Sequence, residues 1–88
     1  MAIKNHLATI TILVRDRQMN VNKVNELLTE KGQIIMARLG VNVEPKCMEH
    51  CTGMITIAVK GRKKEIIDLT KKLNSLYGIV AKANIMTE

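Results

Sequence analysis

Ile10-Thr11-Ile12-Leu13-Val14-Arg15-Asp16-Arg17 recurs 45 positions later as Ile55-Thr56-Ile57-Ala58-Val59-Lys60-Gly61-Arg62. The register holds beyond these octets. Val21, Val24 and Leu28 fall opposite Ile66, Leu69 and Leu73, and Ile34-Ile35 falls opposite Ile79-Val80. A shared register across strand, turn, helix and second strand is the mark of a duplicated supersecondary unit. Around Ala8–Val14 and Met54–Val59 the residues are β-branched and alternate, placing Ile10, Ile12, Val14 and Ile55, Ile57, Val59 on one face of each strand. Asn20–Lys31 and Lys63–Leu76 carry apolar residues at helical spacing. Gly32 and Gly78 follow them, where a left-handed cap is usual. The second strand takes in Leu39–Val43, and Pro45 ends it or lies beyond it.

Two β-α-β units with right-handed crossovers interleave most simply as a split βαββαβ. The expected fold is therefore α+β: a ferredoxin-like sandwich, with a four-stranded antiparallel sheet and two helices on one face. Strands one and three are central. The 88 residues form a single domain, with a core over about residues 7–85. One sheet face is left open, presenting Thr9, Thr11 and Leu13 beside Met54, Thr56 and Ala58, without a charge. A thin one-layer core gains from covering that face with a second subunit, so a homodimer or tetramer is expected.

Composition narrows the function. The chain is 47% apolar and 25% charged, as folded domains are, yet Tyr77 is its one aromatic residue. Modules that stack bases on aromatic side chains are thereby excluded. The formal charge of +6 keeps an acidic partner in play. No apolar run is long enough to span a membrane. Leu7–Val14 lacks a cleavage site of the signal-peptide kind, which points to the cytoplasm and to cysteines held as thiols.

Leu13-Val14-Arg15-Asp16 through Leu27-Leu28 and Gly32 to Ile35 resembles the ACT domain, a small effector-binding module of amino-acid metabolism. Met54 to Gly61 and Leu69 to Leu76 resemble the second half of the ACT domains of acetolactate synthase regulatory subunits. Val14-Arg15-Asp16-Arg17, Val24-Asn25-Glu26-Leu27-Leu28, Arg38-Leu39-Gly40 and Leu69 to Leu73 before Gly78-Ile79 are similar to the stand-alone ACT-like family of iron-only hydrogenase system regulators. The resemblance implies a non-catalytic regulator, transcriptional or metabolic, binding a small effector or partner at an oligomer interface. Asp16 stands where that pattern has the polar residue that contacts a ligand amine. Gln18 and Met19 replace its usual Pro-Gly, so the glycine that admits an amino acid closely is missing. Candidate ligand-binding residues are Asp16, Arg17, Gln18, Met19, Arg38 and Gly40. Arg38 is read either as a charged guard on an edge strand or as an anchor for an anion.

Two further constellations carry chemistry. Cys47-Met48-Glu49-His50-Cys51 offers two thiolates and an imidazole to a soft metal or to redox chemistry, with His6 or a partner subunit completing a site. Nickel-responsive repressors carry a similar domain, but the place of their ligand cysteine falls on Gly53 and no His-x-His is present. No resident cofactor is expected. Between Lys60 and Lys72, six basic residues stand against two acidic ones. Lys60, Arg62, Lys63 and Lys64 are candidate contacts for DNA or another anion, and a basic nucleic-acid-binding protein is the main rival reading. No Walker loop, GxGxxG or nucleophile–His–acid pattern argues for an enzyme.

Overall fold

Alternation decides which side of each strand is buried, and the computed structural model, which describes residues 4–44 and 46–87, follows it closely. The order is β1 (His6–Val14), α1 (Arg17–Glu30), a 3₁₀ turn (Gly32–Ile34), β2 (Ile35–Asn42), β3 (Gly53–Gly61), α2 (Lys63–Asn74) and β4 (Ile79–Ile85). The strands form one antiparallel sheet in the order β2-β3-β1-β4. This is the expected ferredoxin-like βαββαβ fold. Pairing of Ile10 with Ile57 and of Ile12 with Ile55 brings the two copies of the repeat side by side at the sheet centre.

The core is aliphatic. Ile10, Ile12 and Val14 of β1 and Ile57 and Val59 of β3 are buried beneath Val24 and Leu28 of α1 and Ile66, Leu69 and Leu73 of α2. Each such side chain contributes about 1.5–3 kcal/mol on burial. The strand β2 supplies no buried residue, because α1 covers the central strands and stops short of this edge. The open face presents a row across all four strands, Val41, Met54, Leu13 and Val80.

Element ends depart from expectation for identifiable reasons. Helix α1 begins at Arg17, three residues before Asn20. Asp16 adopts a left-handed conformation (φ 49°, ψ 63°), which turns the chain sharply. Arg17 N–H then donates to the Cys51 carbonyl at 2.7 Å, and Met19 and Asn20 N–H donate to that of Asp16. Apolar spacing first shows at Val21, so the polar opening turn carries no periodic signal. Helix α2 ends at Asn74, before Leu76, and the Asn74 side chain is engaged with β4. Its Nδ2 donates to the Ala81 carbonyl (2.8 Å) and its Oδ1 accepts from Ala81 N–H (2.7 Å), blunting an exposed sheet edge.

The strand β2 starts at Ile35 and ends at Asn42, with an irregularity in its pairing between Ile35 and Ala37. Pro45, expected at or beyond its end, lies outside the described residues. Gly78 has the expected positive φ (73°), but Gly32 does not: it opens the 3₁₀ turn instead of forming a left-handed cap.

Candidate functional site

Candidate ligand-binding side chains gather at one end of the sheet, where β1 runs into α1 and the β2–β3 connection folds back. Arg17, the first residue of α1, lays its stem across Gly53 at the start of β3. A Cβ at Gly53 would lie 2.9 Å from Arg17 Cδ, so the missing side chain makes the seat. Arg38 points to the helix side of the sheet, as does its β3 partner Ile57. Its guanidinium donates to Asn25 Oδ1 on α1. Between these two arginines a groove of about 340 Å³ runs along the uncovered helix side of β2. It is lined by Arg17, Arg38, Gly40, Asn42 and the apolar Val14, Val21 and Ile55. Sequence reasoning named Arg17, Arg38 and Gly40, and the fold brings them together.

Asp16, Gln18 and Met19 lie apart from that groove. They line a hollow of about 250 Å³ with Met48, Glu49 and His50. Asp16 and His50 are the two non-glycine residues with positive φ among the described residues. Each such conformation costs about 1–3 kcal/mol and persists only where surrounding contacts impose it. Here they hold each other: His50 Nδ1 and Asp16 Oδ2 are 3.0 Å apart. The six expected ligand-binding residues thus divide between two adjacent depressions flanking the first turn of α1.

The cysteines require a correction. Expected as thiols or metal ligands, Cys47 and Cys51 form a disulfide. The left-handed turn at His50 folds the loop back and brings their Cα atoms to 5.7 Å, within disulfide range. Paired sulfurs are not thiolate ligands, and His50 is engaged with Asp16. His6 lies at the opposite end of β1, roughly 25–30 Å of strand away, where its Nδ1 meets the Thr87 carbonyl at 3.0 Å. Among the described residues no three His, Cys, Asp or Glu side chains converge as metal ligands would. The loop is instead fastened to α1. Cys51, itself buried, gives its N–H to Gln18 Oε1 (3.2 Å), and Gln18 Nε2 lies 3.3 Å from its sulfur.

The basic candidates do not share one face. Alternation puts Lys60 on the open side of the sheet, whereas Arg62, Lys63 and Lys64 begin α2 on the other. All four are exposed. The helix start already holds an anion: Glu65 Oε1 accepts from Arg62 N–H (3.0 Å) and lies 3.3 Å from Arg62 Nε. The backbone donation, with the guanidinium beside it, holds the Glu65 carboxyl below its ordinary pKa. Sequence reasoning missed Gly53 as the seat of Arg17 and Asn25 as the partner of Arg38. The repeat held a signal for the first, since Gly53 falls opposite another small residue, Ala8. Nothing in the sequence marked Asn25 among the other polar residues of its helix.

Comparison with known proteins gives the arrangement a family. The structure of the Thermotoga maritima protein TM1266 superposes with a TM-score of 0.85 at 26% identity, covering 96% of this chain and 100% of that one. CPII, a nitrogen regulatory PII-like protein from Thiomonas intermedia K12 solved with ADP, AMP and bicarbonate, shares the fold at a TM-score of 0.50 and 15% identity. That match covers 96% of this chain and 99% of CPII. No curated protein matches. Residues 6–83 match the family model described as "TM1266-like: Iron-only hydrogenase system regulator, putative". A match over that much of the chain makes it a member of the TM1266-like family.

Proposed function

We propose that the chain is a non-catalytic regulatory module of the iron-only hydrogenase system type, reading a small effector in the groove between α1 and β2. The observation that supports this is the convergence of Arg17, Arg38 and Gly40, from α1 and β2, on one concave surface with an apolar floor. Native mass spectrometry and a thermal-shift screen of small metabolites test it. A saturating ligand whose effect is lost on substituting groove residues supports the reading. Binding confined to residues outside the groove sinks it.

The module works as a homo-oligomer through its open sheet face. Val41, Met54, Leu13 and Val80 form an uncharged apolar row there, and covering it adds to a thin core. Leu13→Arg places a charge in the middle of that row. Sedimentation should show wild type as a dimer or tetramer at micromolar concentration and Leu13→Arg as a folded monomer. A strictly monomeric wild type would remove this part of the proposal.

A second reading, redox sensing, is favoured by the way the Cys47–Cys51 loop is fastened to the first turn of α1. Reduction by an added dithiol breaks the S–S bond and leaves two thiols, while the reagent supplies two electrons and two protons and closes to its own disulfide. Opening so short a loop costs about 2 kcal/mol on chain-entropy grounds, or roughly 10 °C in Tm for a domain of this size. The expected result is that fall on reduction, matched by Cys47→Ser. An unchanged Tm, with alkylation reporting both thiols free, would exclude a structural role for the bond.

A further inference from the structure

Arg17 Nε is buried and has no hydrogen-bond partner among the described residues. An unpaired buried donor costs about 1–3 kcal/mol, and such exceptions call for an explanation. A guanidinium remains charged at any physiological pH. Arg38, across the groove, is met by Asn25, a neutral acceptor. Among the described residues no Asp or Glu lines the groove. Among the described residues, the Arg62–Glu65 salt bridge and the Asp16–His50 contact leave both arginines out. Two fixed positive charges therefore face one depression with no anion among the described residues to balance them. Most of the other side chains around it are aliphatic.

We propose that this groove is an oxyanion site, in which Arg17 and Arg38 clamp one carboxylate or phosphate group of a small ligand. The ligand's aliphatic part lies on Val14, Val21 and Ile55. The assignment rests on the effector reading above and adds the chemical class. Planar guanidinium groups meet such oxyanions with paired, charge-assisted hydrogen bonds. Arg17 supplies its donors from the terminal N–H groups of the guanidinium, because the buried Nε is out of reach of a ligand oxygen. Gly53 belongs to the site although it makes no polar contact, because any side chain there would lift Arg17 from its seat.

The test titrates the full chain with inorganic phosphate, 3-methylbutanoate and the neutral 3-methylbutanamide at constant ionic strength, followed by calorimetry and amide chemical shifts. One of the two anions should bind once per chain, and which one distinguishes a phosphate ligand from a carboxylate. Arg17→Gln and Arg38→Gln should each weaken it about tenfold or more, equivalent to about 1.4 kcal/mol. Lys63→Gln with Lys64→Gln should leave it unchanged. Arg38 is exposed on an edge strand, so its variant keeps the test valid if Arg17→Gln does not fold. Equal binding by either arginine variant, or loss only in the lysine variant, overturns the assignment. Groove binding of the amide without either anion overturns the oxyanion class while leaving the effector reading intact. If none of the three shifts groove amides, the oxyanion assignment falls, and the effector reading then stands or falls on the wider metabolite screen.

Discussion

Ile57→Ala should cost about 2–5 kcal/mol of folding stability, the range for truncating a large buried aliphatic side chain. Ile57 is 0% exposed, lies in the middle of β3, and pairs with Ile10 on one side and Arg38 on the other. The core around it has no aromatic residue to slide into the space, since Tyr77 is exposed on the turn after α2. Domains are stable by only about 5–15 kcal/mol, and one of this size belongs at the low end because it hides less of its surface. With a urea dependence of about 1–3 kcal/mol per molar, the midpoint should fall by at least about 0.7 M. Ile57→Val, which keeps the branched shape, should cost about 0.5–1.5 kcal/mol. Circular dichroism during urea titration measures both, at several protein concentrations so that association is separated from folding. Equal midpoints for the two variants would mean that the core repacks freely, against a single close-packed aliphatic layer.

The double occurrence of one pattern explains what is legible in advance. Ile10-Thr11-Ile12 and Ile55-Thr56-Ile57 carry the same alternation, and alternation maps directly onto buried and open faces. Arg17, Arg38 and Gly40 are legible as candidates, the first through family likeness and the other two as a charge and a glycine inside an apolar strand, but not the reason they meet. That reason is the narrow cover of α1, which leaves the helix side of β2 free, and helix width over a sheet is a tertiary property. The disulfide is not legible, because the expected compartment argues for thiols and the loop geometry that brings the two sulfurs together is hidden. The left-handed turn at His50 that accompanies this geometry is not marked in the sequence, since histidine tolerates positive φ better than most residues but adopts it at only a few positions. Asp16 stands out in sequence as a polar anchor, yet its larger structural role is to start α1 three residues early by turning the backbone.

Gly32 and Gly78 look equivalent in sequence, each following an amphipathic helix and preceding an Ile-containing strand, and the same substitution should have opposite effects at the two sites. Gly78 has φ 73°, and a Cβ there would lie 2.5 Å from Asn20 Nδ2. That amide is not free to move without loss: it donates to the Arg15 carbonyl at 2.6 Å, while Arg15 N–H donates to the Gly78 carbonyl at 2.9 Å. Gly78→Ala therefore meets left-handed strain of about 1–2 kcal/mol and weakens a hydrogen bond contributing about 1 kcal/mol. Gly32 has no positive φ, and a Cβ there would have nothing within 4 Å among the described residues, so alanine fits without a clash. There Gly32→Ala should stabilise by about 0.4–1 kcal/mol through the lower entropy of the unfolded chain. The two variants should differ by about 3 kcal/mol, the sum of these opposed effects, read as urea midpoints on either side of wild type. Gly78→Asn supplies the control for backbone conformation, because asparagine tolerates the left-handed region but still carries a Cβ. If it recovers most of the loss, strain is the larger cost; if it behaves like alanine, the collision with Asn20 is. Equal effects at positions 32 and 78 would show that both helices end alike, contrary to the 3₁₀ turn that replaces the left-handed cap in the first half of the repeat.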